Sequence, residues 1–146
     1  MRRSEQTAEI PASAEEVFAF LADIANLARW QSGVVRVEQT SPGPMAVGST
    51  AAIERRVMGQ RFQADLRVAE LVPNRRIVLE TDASGMHLEA SVAIDPIDPG
   101  HCRVTFGMAL RATSFFMKAV EPMAAQAAEG DIADSLVRVL EVFAKP

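Results

Sequence analysis

Tyrosine is missing from this chain of 146 residues; tryptophan and cysteine occur once each, and there are two histidines. Each shortage excludes something. Without tyrosine, no phenol is available as an acid or a hydrogen-bond donor. A single cysteine, Cys102, rules out an intrachain disulfide and any cysteine-cluster metal site. The spacing of His87 and His101 suggests no ligand set, so neither a metal nor a cofactor is expected. No run of about 18 apolar residues occurs, so no integral membrane segment is expected. Met1-Arg2-Arg3-Ser4-Glu5 leads into polar residues, which does not read as a signal peptide, and the expected location is the cytoplasm. A net charge of −4 argues against nucleic acid as a main partner, although Arg55-Arg56-Arg61 and Arg75-Arg76 are local basic patches.

What is present fits one globular domain over residues 1–146, with 49% apolar and 23% charged residues. Residues 3–10 read as a short first strand ending at Pro11. Ser13-x-x-Glu16 is a capping box, and Val17, Phe18 and Leu21 then share a helical face. Asp23 caps a second short helix with Ile24, Leu27 and Trp30, ended by Gly33.

The next eighty residues alternate. Val34–Gln39 is β-branched, Ser41-Pro42-Gly43-Pro44 is a turn, and residues 49–57 form a strand with a tip at Met58-Gly59-Gln60. Phe62, Ala64, Leu66 and Val68 oppose polar neighbours at period two. Val72-Pro73-Asn74 and Ser84-Gly85 turn the chain around a strand carrying Ile77, Leu79 and Thr81. Met86, Leu88, Ala90, Val92 and Ile94 share one face, and Asp95-Pro96 through Gly100 closes that strand. Cys102, Val104, Phe106, Met108 and Leu110 share a face of the last strand. The short connections make neighbouring strands antiparallel.

Ser114 to Phe143 reads as one long helix. Its first half carries Phe116, Val120, Met123 and Ala127; its second carries Ile132, Leu136, Val139 and Phe143. The two stripes do not align on a straight helix, so a bend is expected near Pro122 or Gly130. The run Ala124-Ala125-Ala127-Ala128 is too small to fill a wide gap. A cavity is therefore expected between the sheet and the first half of this helix, with an entrance at Met58-Gly59-Gln60 and Phe115-Phe116.

The candidate pocket residues are Trp30, Arg55, Phe62, Phe106, Met108, Phe116, Val120 and Met123, since aromatic and thioether groups suit either a core or an adaptable apolar pocket. Arg55 points inward if Ala51, Ile53 and Val57 do, where it could hold a carboxylate, phosphate or enolate; a twist at the strand end would instead carry it to solvent. Glu70 stands at a strand end and is expected to be exposed. Glu121 either pairs with Arg111 or Lys118 or faces the cavity mouth. Cys102 reads as a buried small hydrophobe, and both histidines as solvent-facing. No Ser/His/Asp or Cys/His arrangement is supported.

Three segments carry a resemblance. They are Ile10-Pro11-Ala12-Ser13-Ala14-Glu15-Glu16-Val17-Phe18 with Trp30; Val47-Gly48-Ser49 with Val68 through Arg76; and Glu121-Pro122 with Leu136-Val137-Arg138-Val139-Leu140. In this order they resemble the SRPBCC superfamily, which includes START lipid-transfer domains, the major birch pollen allergen and polyketide cyclase/dehydrase-like proteins. The resemblance implies an α+β helix-grip fold, with a curved antiparallel sheet wrapped around a long C-terminal helix and two short N-terminal helices. It also implies a small hydrophobic or amphipathic ligand, lipid or polyketide-like, between sheet and helix. It transfers no catalytic residue, because no catalytic motif is common to the superfamily. The alternatives are a polyketide cyclase/dehydratase-type enzyme and a protein-interaction module. Nothing in the sequence decides between a monomer and a homodimer.

Overall fold

Ser13 opens the first helix as the sequence predicts. In the computed structural model, which describes residues 1–57, 59–83 and 85–144, its hydroxyl accepts from the Glu16 amide at 3.1 Å. The Glu16 carboxylate accepts from that same hydroxyl at 3.1 Å, rather than from the Ser13 backbone N–H that a full capping box engages. Helix α1 spans Ala14–Ala22. Asp23 then caps a single 3-10 turn, Ile24–Asn26, through the Ala25 amide, and α2 follows at Leu27–Trp30. Gly33 ends this segment with φ +94°, a conformation that only glycine takes without strain.

Seven strands follow the period-two pattern: β1 Arg2–Ile10, β2 Val34–Gln39, β3 Thr50–Val57, β4 Gln60–Val72, β5 Arg76–Ala83, β6 Met86–Asp98 and β7 His101–Ala112. They form one sheet in the order β1-β7-β6-β5-β4-β3-β2, antiparallel throughout. Irregularities at Val34/Arg36, Val68/Glu70 and Pro96/Asp98 break the register. An extra residue on one strand bends it and tightens its twist, which is how a broad sheet comes to curve around a helix. Strand β6 continues past Asp95-Pro96 to Asp98, further than the sequence suggests. Proline lacks an N–H for the ladder, but here it lies beside a bulge, where the loss is tolerated. Of the turns read from sequence, Met58 and Ser84 lie outside the described residues.

The C-terminal segment differs from the single helix expected. A one-turn helix α3, Phe115–Lys118, is capped by the Ser114 hydroxyl, which accepts from the Met117 amide. The chain breaks at Ala119–Val120, and α4 runs over Glu121–Phe143. Pro122 sits in the first turn of α4, where its missing N–H had no intrahelical partner to lose. Gly130 interrupts nothing. The break resets the phase, and the buried stripe of α4 is Ala124, Ala128, Ile132, Leu136 and Val139. Taking Ala124 and Ala128 in place of Met123 and Ala127 removes the misalignment, because these positions lie four apart.

Helix α4 lies over β1 and β7 and touches α2. Its C-terminal end is further fixed by an edge-on contact of Phe143 with Phe20 of α1, at 5.7 Å between ring centres. Trp30 is buried and stands edge-on to Phe106 at 5.2 Å, so the N-terminal helices close one end of the sheet through the only indole. Its N–H finds no partner among the described residues; phenylalanine would lose volume but no hydrogen bond. Trp30 emission should therefore be blue-shifted in the folded protein, and Trp30→Phe should keep the fold. Trp30→Ala should cost about 3–5 kcal/mol in a urea titration. A loss below about 1 kcal/mol would place the ring outside the core.

Candidate functional site

Because α4 is seated over β1 and β7, it leaves the inner faces of β3 to β6 uncovered below its first half. A pocket opens there, with an empty volume of about 830 Å³ counted out to its open mouth. The floor is Phe62 and Ala64 of β4, Thr81 and Ala83 of β5, Met86 and Leu88 of β6, and Met108 and Leu110 of β7. Met117, Val120, Ala124, Ala127 and Ala128 form the helical wall. Alanines face the sheet where larger side chains would have filled the space, which is the cavity the small-residue run implied.

Two charged groups enter this apolar space. Arg55 of β3 is 7% exposed and lines the pocket. It follows Ala51 and Ile53 on the inner face, so strand alternation, rather than an end twist, decides its direction. Asp131 of α4 lines the pocket as well. Both crowd the glycine that ends the α2 segment: a β-carbon on Gly33 would stand 3.1 Å from Asp131 Oδ2 and 3.5 Å from Arg55 Nη1. The Gly33 carbonyl accepts from the Arg56 amide at 2.6 Å, which ties that backbone to β3. Nearby, the wholly buried Ser135 donates to the Asp131 carbonyl at 2.6 Å and accepts from the Ser32 amide at 2.8 Å. This fixes the turn of α4 that presents Asp131.

The electrostatics follow from burial. Desolvation pushes the Arg55 guanidinium down to about 10, against the pull of Asp131, so it remains a cation at neutral pH. Burial pushes the Asp131 carboxyl up, and the Arg55 cation pulls it part of the way back. The two form no direct ion pair among the described residues. The Arg55 Nε, the Trp30 indole N–H and both amide atoms of the fully buried Gln31 lack partners among the described residues. Each such atom costs about 1–3 kcal/mol unless a hydrogen bond is supplied from elsewhere.

Of the residues singled out by sequence, Arg55, Phe62, Met108 and Val120 line the pocket. Trp30 and Phe106 are buried in the core. Phe116 and Met123 point away from the pocket, 87% and 62% exposed; the phase reset at Ala119–Val120 puts Met117 and Ala124 inward instead. Asp131, Thr81 and Gln31 escaped the sequence reading. Asp131 lies one turn beyond Ala127 on the inward face, so a carboxylate in phase with the alanine stripe was the available signal. Glu121 pairs with neither Arg111 nor Lys118. It accepts from Arg2 at 3.0 Å and from the Ala112 amide at 2.8 Å. Glu70 is exposed and pairs with Arg76, and Cys102 is buried, which raises its thiol pKa. His87 lies on the outer face but is mostly covered. It bonds Asp82 at 2.7 Å and approaches Glu80 and Glu89, while Glu80 is already engaged by Arg67. No helix of the described residues is long and apolar enough to cross a membrane.

Three comparisons place this geometry among known proteins. A family model described as polyketide cyclase / dehydrase and lipid transport matches residues 1–143. No curated protein matches the sequence. Among solved structures, the Zhui aromatase/cyclase from Streptomyces sp. R1128 superposes with a TM-score of 0.80 at 19% identity, over 97% of this chain and 92% of that one. Norcoclaurine synthase from Thalictrum flavum, in complex with dopamine and hydroxybenzaldehyde, gives 0.67 at 16% identity, over 99% and 88%. A START superfamily protein from Mycobacterium smegmatis gives 0.66 at 16%, over 90% and 97%. At these identities the likeness is one of fold.

The raised carboxyl of Asp131 has a testable consequence. The folded protein holds this proton more tightly than the unfolded chain, so the residue's contribution to stability is present in acid, below the ordinary carboxylate value. It is lost as the pH rises through the raised value. Asparagine is neutral throughout. Asp131→Asn should therefore melt higher than the wild type above that raised value and lose the advantage in acid. Parallel melting curves across pH would mean that Asp131 titrates like a surface carboxylate.

Proposed function

The chain belongs to the polyketide cyclase / dehydrase and lipid transport family, and we propose that its pocket takes a small amphipathic molecule whose apolar body fills the groove and whose oxygen atoms meet Arg55. The observation that carries this reading is a buried guanidinium, with the Asp131 carboxyl, in a pocket lined mainly by apolar side chains. Burying apolar surface drives entry, at about 25 cal/mol per Å² before ordering costs. The cation supplies orientation. A carboxylate, sulfonate or enolate oxygen would relieve the desolvated Arg55, whose Nε the protein leaves unpaired. A plain hydrocarbon would not.

One observation favours a second reading, an enzyme of the cyclase/dehydratase type. Arg55 and Asp131 share the pocket as a fixed cation and a carboxyl with a raised pKa. With a β-dicarbonyl chain, the Asp131 carboxylate would take a proton from the carbon between two carbonyls, while Arg55 holds the resulting enolate oxygen. The enolate carbon would then attack a further carbonyl carbon of the same chain. A carbon–carbon bond forms, and the oxygen of the attacked carbonyl takes the proton back from Asp131 to become a hydroxyl. Loss of that hydroxyl with a neighbouring carbon-bound hydrogen, as water, completes a dehydration. Two of the structural neighbours are enzymes by name, and the family description covers both transport and catalysis.

The binding reading is tested with a matched ligand pair followed by calorimetry: an alkylbenzene sulfonate, anionic at every pH used, and the same alkylbenzene without its head. Arg55→Met keeps the length and the apolar stem. It should weaken the sulfonate about tenfold or more and leave the headless ligand unchanged. Equal affinity of wild type and variant for the sulfonate would remove Arg55 from the site. The catalytic reading predicts that the wild type speeds exchange of the acidic C–H of a bound β-diketone into deuterated water, seen by NMR, and that Asp131→Asn abolishes the effect. Exchange at the uncatalysed rate with wild type would leave a carrier.

A further inference from the structure

Phe115 and Phe116 are 88% and 87% exposed, next to each other on a helix of one turn. Two large apolar groups in that condition are rare on a soluble surface. They are also held firmly. The Ser114 hydroxyl caps the turn, the Thr113 amide donates to the Gly85 carbonyl at 2.7 Å, and Gly85 lies so close beneath α3 that a β-carbon there would be 2.5 Å from Ser114 Oγ and 2.9 Å from Met117 Cγ. Met117 and Val120 line the pocket, so both phenylalanines stand at its rim, on its outer side.

The charge around them is unlike that of the whole chain. The antiparallel order brings the start of β1, the ends of β3 and β7, and the β3–β4 and β5–β6 turns to this end of the sheet. Here Arg2, Arg3, Arg56, Arg61, Arg111 and Lys118 are all exposed. Of the acids beside them, Glu121 and Glu54 are paired with Arg2 and Arg61, Asp82 bonds His87, and Asp65, opposite Asp82 on the neighbouring strand, is exposed. The opposite end gathers Glu9, Glu15, Glu16, Asp95 and Asp98 against Arg75, Arg76 and Arg103. A chain of net charge −4 thus gathers six of its fifteen lysines and arginines at the end of the sheet that carries the exposed phenylalanines.

We propose that this end docks on an anionic phospholipid bilayer, with Phe115 and Phe116 entering the interface and the surrounding arginines and Lys118 facing the headgroups. The mouth of the pocket would then open at the membrane surface. A second copy fits poorly, since patch-to-patch docking sets two cationic ends against each other. A protein partner fits less well than a lipid, because the side chains protrude from a convex turn instead of forming a surface that a rigid partner could match. A fluid interface closes around a protrusion.

The experiment is vesicle flotation of the full chain without added ligand, so it stands apart from any reading of the pocket. Binding is expected to phosphatidylcholine vesicles containing one-third phosphatidylglycerol and to fall as salt is raised. Phe115→Ser/Phe116→Ser should weaken it about tenfold or more, and Lys118→Gln about fivefold. Should the double variant fail to fold, Phe116→Trp in a Trp30→Phe background gives a second measurement, with emission moving to the blue only on the mixed vesicles. The proposal is overturned if the wild type does not float with mixed vesicles or if the serine variant floats as well as the wild type. It is equally overturned if sedimentation shows that the patch holds a dimer and no vesicle binds.

Discussion

Everything in this molecule depends on where one helix rests. Helix α4 is anchored through Ile132, Leu136 and Val139, all buried, and full burial of such side chains contributes about 1.5–3 kcal/mol each. The Phe20–Phe143 contact holds the same end from outside. The other half of the helix offers the core only small side chains, Ala124, Ala125, Ala127 and Ala128. It packs through these small side chains, and Glu121 ties its start to Arg2 and to the Ala112 amide. A helix fixed at one end and spanned by alanines at the other necessarily leaves space beneath it, and the pocket is that space.

The same arrangement sets a cost. Arg55 is buried and Asp131 half-buried without a direct ion pair, and the Arg55 Nε lacks a partner among the described residues. A core built for stability alone would place apolar groups there, since replacing buried charge with well-packed hydrophobes is often neutral or stabilising. Sites that bind or react are the usual exception, because groups left unsatisfied in the free protein are the ones that gain most when a ligand arrives. Gly33 and Ser135 hold this arrangement. The first lets the backbone pass beside both charges at a positive φ, and the second ties α4 to the segment before β2.

The pocket and the phenylalanine patch share a structural cause. The break at Ala119–Val120 turns Met117 and Val120 inward and leaves Phe115 and Phe116 outside. A continuous helix from Ser114 would have carried a single phase through the region, with Phe116, Val120 and Met123 on one face.

The sequence by itself determined the strand phases, the Ser13 and Asp23 caps, the glycine at position 33 and the helix-grip order of elements. These are local: alternation, a hydroxyl three residues before its amide, a positive φ. It also determined that a gap lies under Ala124 to Ala128, because alanine is small wherever it is placed. Tertiary structure alone decided which helical face looks inward, since apolar periodicity ranks Met123 above Ala124, while the chain break and the seat on β1 and β7 choose otherwise. It brought Asp131 within the pull of Arg55, across 76 positions of chain, a pairing that no local pattern encodes. And it gathered cations from four strands and a helix at one end of an acidic protein, because charge position in space depends on strand order, which is written in the whole fold and in no single segment.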